Sequence, residues 1–172
     1  MGYLENATLD CELSWVQSDN MNDTTLIDNG SVKFNYLYTS GTSVGQANCV
    51  WYTTGFISSG SNTLIDLFNL NRSIFGGTIT MSLSGGSVKS LVIKNLNTGQ
   101  SNNLLLQVLG NTYLREPFNN QTGTQIVVSP ESSFVLNNKF GYNVGTGSRY
   151  LTLQEANGYG ISYEVSILGV KL

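Results

Sequence analysis

Apolar and polar side chains alternate with a period of two along most of this chain. In the clearest run Ile161, Tyr163, Val165 and Ile167 fall on one face, with Ser162, Glu164 and Ser166 on the other, the pattern of a half-buried strand. Leu9, Cys11, Leu13 and Trp15 share a face in the same way, as do Val32, Phe34, Tyr36 and Tyr38, and Ile79, Met81 and Leu83. The pattern predicts strands at about 8–16, 32–38, 48–57, 63–69, 78–84, 88–95, 104–109, 125–128, 133–136, 150–155 and 161–168. Turn signals such as Asp28-Asn29-Gly30, Gly85-Gly86, Asn97-Thr98-Gly99 and Asn157-Gly158 separate them, a spacing that predicts an all-β sandwich or barrel. Leu67, Leu70 and Ile74 are at helical spacing, but Asn69, Asn71 and Ser73 form helices poorly, so 65–75 reads as strand followed by loop.

The segment Gln17 to Thr25 is polar apart from Met21 and reads as an exposed loop, which makes the preceding strand an arm that docks on a neighbour. The chain therefore divides into an N-terminal arm and polar loop, 1–30, and a sandwich domain, 31–172. Leu91-Val92-Ile93 and Leu104-Leu105-Leu106 are apolar on both faces, so a two-layer sandwich leaves one of those faces to be covered. Either an ordered loop or another subunit covers it. In the second case Leu91, Ile93, Leu104, Leu105 and Leu106 are self-association or partner contacts.

Composition narrows the function. At 172 residues the chain fits one domain, large enough to bury roughly 70% of its unfolded surface. Only 11% of residues are charged, the net charge is -3, and the eight Lys and Arg are scattered. No stripe tracks a phosphate backbone, so nucleic acid is not an expected partner. The polarity comes instead from 20 Asn, 20 Ser and 16 Thr. The five Asn-x-Ser/Thr triplets, at Asn6, Asn22, Asn29, Asn71 and Asn120, are about as many as this composition produces by chance. Neither a secretory leader nor an apolar run of the ~20 residues that span a bilayer is visible, so synthesis in a cytoplasm and no membrane partner are expected.

Candidate chemistry is sparse. The chain has no His, and two Cys without His do not make a tetrahedral zinc site. Cys11 and Cys49 read as apolar packing residues. Asp10 and Glu12 lie on one outward strand face, where they repel, and distant pairs such as Asp66 with Glu116 or Glu164 depend on the fold. Asp19, Asn20, Asn22, Asp23 and Asp28 lack the order of a calcium loop. Trp51, Tyr52, Tyr142 and Tyr159, with Tyr150 and Tyr163, form either a sugar-stacking surface or the anchors of a sheet protein. The second reading is preferred. No catalytic residue, metal or cofactor is expected, and the chain reads as a surface rather than an enzyme.

The order of segments is similar to that of small virion structural proteins of tailed phages. The likeness lies in Gly41 to Tyr52, Thr63 to Leu67, Ile74 to Thr80, Val88 to Asn95, Ile126 to Pro130, Tyr142 to Val144, Leu151 to Leu153 and Tyr163 to Gly169. It spans about 30–170 as a collinear strand pattern, and where that pattern carries Pro-Gly-Gly this chain has Pro130-Glu131-Ser132. The resemblance implies an antiparallel, jelly-roll-like β-sandwich on the exterior of the particle, often trimeric. The expected function is that of a capsid decoration or cement protein: a homotrimer that binds the outer face of the major capsid protein lattice and stabilises it. The alternatives are a receptor- or glycan-binding head of a fibre or tail component and, third, an enzyme degrading surface polysaccharide.

Overall fold

The computed structural model describes residues 4–21, 24–74, 77–99, 101–118 and 120–172. The chain opens with two long strands, β1 (Asn6–Met21) and β2 (Thr24–Ser40), followed by the two-residue β3 (Gln46–Ala47). Next come β4 (Cys49–Ile57), β5 (Asn62–Asp66), β6 (Leu70–Ile74), β7 (Gly77–Met81), β8 (Ser87–Asn95) and β9 (Leu104–Gln107). A single 3-10 turn at Glu116–Phe118 precedes β10 (Gln125–Val128), β11 (Ser133–Asn143), β12 (Tyr150–Glu155) and β13 (Ile161–Val170).

Eight of these strands make an antiparallel sandwich. One sheet has the order β11-β8-β13-β4 and the other β10-β9-β12-β5. Counted along the chain among themselves, the eight strands run 6-3-8-1 in the first sheet and 5-4-7-2 in the second. This is the jelly roll, in which the chain repeatedly crosses between sheets so that the last strand lies beside the first. The apolar faces read from the sequence meet in the middle: Trp51, Leu91, Ile93, Val165 and Ile167 from one sheet and Ile65, Leu104, Leu106, Leu151 and Leu153 from the other. Each such side chain taken out of water contributes about 1.5–3 kcal/mol. Asn95 ties the layers together, its buried amide donating to the Val128 carbonyl of the opposite sheet (2.9 Å) and to Asn102 O (2.7 Å).

Three local expectations are corrected. Gln17 to Met21 and Thr24 to Thr25 are strand, not loop, because β1 and β2 pair in register from Asn6↔Thr39 to Met21↔Thr24. Asp28-Asn29-Gly30 consequently lies within β2 instead of turning the chain. Residues 70–74 are a strand paired with β7, where the sequence suggested a loop. Gln17 to Thr25 are polar apart from Met21, and Asn71, Arg72 and Ser73 follow the buried Leu70 as three consecutive polar residues, so neither place shows the alternation that marks a strand. The Pro130-Glu131-Ser132 turn closes without a glycine: Glu131 takes φ 57°, and Ser132 N donates to Ser129 O at 3.1 Å.

Candidate interaction surface

A long uncovered apolar surface belongs to the β1–β2 hairpin. Its register stacks Leu9 opposite Tyr36, Cys11 opposite Phe34 and Leu13 opposite Val32 on one face. The reverse face carries Asp10 opposite Asn35 and Glu12 opposite Lys33, joined by an Asn35 to Asp10 hydrogen bond and a 3.8 Å ion pair. An extended strand of 16 residues is about 50 Å long, and β1 and β2 contact chiefly each other. Most of the apolar face is therefore in water: Leu13 is 67% exposed, Phe34 55%, Val32 46% and Tyr36 40%. The Trp15 side chain, assigned to this face by sequence, lies outside the described residues.

The base of the hairpin is firmly held. Tyr38 is buried, packs with Ala47 and Leu168 beside Leu4 and Ala7, and donates its hydroxyl to Asn137 Oδ1 at 2.6 Å. That burial pushes the Tyr38 phenol above its ordinary pKa. Thr39 and Ser40 pair in parallel with β3, and Asn48 just beyond donates its backbone N–H to Gly169 O. On the far side of Asn137, β11 bulges between Asn137 and Tyr142. Lys89, buried in β8, fixes that bulge by donating to the carbonyls of Lys139 (3.1 Å) and Phe140 (2.8 Å), and desolvation holds its pKa below that of a free lysine. Gly141, at φ 88°, sits over Ser87 and Lys89 where a Cβ would stand 2.6 Å from Ser87 Oγ.

The hairpin base also answers what covers the second face of Leu91 to Ile93. Val92 points outward, and a cavity of about 150 Å³ between it and the arm is lined by Ala7, Leu9, Val50, Ser166 and Leu168. The cover is thus the arm of the same chain. Leu91, Ile93, Leu104 and Leu106 are buried in the sandwich core, so as contact residues they are corrected: they face the opposite sheet, not a partner. Leu105 is half-buried on the outer face of the second sheet, beside the exposed Val127.

The aromatic candidates do not form one platform. Trp51 and Tyr52 are neighbours on β4 and so point to opposite faces. Trp51 is buried with its indole N–H on Asn71 O (2.8 Å). Tyr52 is exposed and donates to Glu164 Oε1 (3.0 Å), which raises its pKa. Tyr142 packs against the core from β11, while Tyr159 is exposed in the β12–β13 turn. Tyr52 instead belongs to a second apolar strip along β4 on the outer face of the first sheet, with Val50 and Phe56 exposed on the same strand.

The carboxylates named from sequence have separate structural partners. Asp66 receives Arg149 Nε and Nη2 at 2.7 and 2.5 Å, and this pairing holds its pKa at about 2. The guanidinium lies over the rings of Phe68 and Tyr150, 4.8 and 4.9 Å from their centroids. Glu116 accepts the Asn143 N–H (2.8 Å), and Glu164 lies 3.5 Å from Lys94. Glu155, unremarked in sequence, accepts backbone N–H groups of Gly60, Asn157 and Tyr159, which hold its pKa below the ordinary range. These ties make rigid turns; none pairs two carboxylates across a cleft. Among the described residues no group of three or more His, Cys, Asp or Glu gathers to hold a metal ion. Among the described residues no helix is long and apolar enough to cross a membrane. The chain matches no protein-family model and no curated protein sequence.

Proposed function

We propose that this chain is a structural protein of a phage particle, a decoration or cement protein that binds the outer face of the major capsid protein lattice as a homotrimer and stabilises it. The observation that carries the reading is the arm: a rigid jelly roll that holds a long hairpin by its base, with an apolar face left in water, is built to be part of an assembly. The resemblance of the strand pattern to virion proteins supplies the assembly. Contacts made by surfaces with few charges, such as the Tyr52 and Phe56 strip, add buried area across capsomer seams. Many symmetric weak sites then act together by avidity, and attachment changes little with salt because there is little charge to screen. Quantitative mass spectrometry of purified particles tests this reading. The chain is expected in a fixed, high ratio to the major capsid protein, and absence or a few copies per particle would overturn it.

A glycan-binding head is the second reading. A cleft of about 210 Å³ between β4 and β5 is lined by Thr53, Thr63, Asp66, Asn69 and Asn71, hydrogen-bonding groups suited to a sugar. Its aromatic members, Trp51 and Tyr163, are only 6% exposed and offer little ring face for stacking, which favours the first reading. Specific binding on a glycan array, lost in Asn69→Ala, would reverse that preference.

A further inference from the structure

We infer that the arm is the self-association element: hairpins from separate copies of this chain pack against one another through the face formed by Leu9, Cys11, Leu13, Val32, Phe34 and Tyr36. This deepens the self-association part of the proposed function by naming its surface. The six residues occupy consecutive non-polar rungs of the β1–β2 register, and every charged or amide side chain of the same stretch, Asp10, Glu12, Lys33 and Asn35, is on the reverse face in cross-strand pairs. A face without charge suits copies of itself, since three arms converging on a three-fold axis bring the same patch of each copy together, and like charges there would repel.

The area fits as well. At the exposures observed the face presents on the order of 500 Å² per copy, so a facing pair buries about 1,000 Å², the lower bound for a specific interface. A two-stranded ribbon alone in water is marginal, and its own sandwich covers only the base, through Ala7 and Tyr38, and flanks it as far as Leu9. A second ribbon laid on the face gives it the missing layer, at the ~10 Å spacing of packed sheets.

Cys11 is a built-in reporter at the middle of this face. It is partly exposed, whereas Cys49 is buried with its thiol pKa pushed up to about 11, so a maleimide distinguishes them. The test is sedimentation velocity of the full chain, together with cross-linking by a short bismaleimide whose reach matches the ~10 Å sheet separation. Wild type is expected to sediment as an oligomer and to give a covalent dimer that Cys11→Ser abolishes. Leu13→Asp and Phe34→Asp, at sites already exposed, are expected to yield monomers while circular dichroism still shows the folded sandwich. A strict monomer overturns the inference. So does an oligomer that neither cross-links through Cys11 nor responds to the two Asp variants, and so does association lost in those variants without any Cys11 cross-link in wild type, which would place the face against another part of the molecule. A monomer found at high copy on particles defeats this inference and the homotrimer while leaving capsid binding standing, and an arm-linked oligomer absent from particles defeats only the capsid reading.

Discussion

Leu106→Ala separates the core from the surface. Leu106 is 1% exposed, opposite Leu153 on one neighbour and Ile126 on the other, so truncation leaves a cavity that rigid strands on both sides cannot close. Deletions of this kind cost about 3–5 kcal/mol. With a urea slope of about 2 kcal/mol/M for a domain of this size, the unfolding midpoint falls by about 1.5–2.5 M. Leu13→Ala, at a position 67% exposed, moves the sandwich transition by less than about 0.5 kcal/mol. Urea titrations followed by tryptophan fluorescence, run at two protein concentrations tenfold apart, read both effects. A core cavity gives the same loss at each concentration, while an interface residue gives a loss that depends on concentration through mass action. A cost under 1 kcal/mol for Leu106→Ala, or a concentration-dependent one, would refute its assignment to the core.

Three further outcomes follow from particular contacts. Tyr38→Phe leaves Asn137 Oδ1 without its hydroxyl donor, a loss of about 1–2 kcal/mol, and limited proteolysis is expected to release the arm faster while the sandwich stays intact. Asp66 has its pKa lowered from 3.8 to about 2 by Arg149, so its ion pair contributes fully above pH ~4 and is lost as pH falls towards 2, on the order of 2 kcal/mol; thermal melts across this window are expected to show the drop, and Arg149→Met to flatten it. Glu131→Gly relieves a left-handed φ of 57° and is expected to stabilise the fold by up to ~1 kcal/mol, read as a higher urea midpoint.

The sandwich was legible because its inner faces obey a period of two: Ile161, Tyr163, Val165 and Ile167 are all buried, as the alternation required. The assembly of strands into a jelly roll was legible only through the resemblance of the strand order, since nothing local in β4 or β13 states that the first and last sandwich strands pair. The apolar runs at Leu91 to Ile93 and Leu104 to Leu106 misled about contacts because a sequence shows that a strand has two apolar faces but not which layer covers each. Here the opposite sheet covers one face, and the base of the arm flanks the other at Val92. The arm itself was half visible. Its apolar face at Leu9 to Leu13 and Val32 to Tyr38 was clear, but Gln17 to Thr25 are polar apart from Met21 and carry no strand signal. Tyr38 was placed on that face correctly, though only the fold shows it turning from exposed face to buried anchor, through Asn137 nearly a hundred residues later.

The central proposal is that this protein holds a capsid shell closed, and shell opening under heat measures that directly. Particles carrying the wild-type protein, and particles stripped of it, are heated with a DNA-binding dye that reports release of the packaged genome. Decorated particles are expected to release DNA at a clearly higher temperature, with the increment restored when purified protein is added back. Identical release temperatures with and without bound protein would contradict the account.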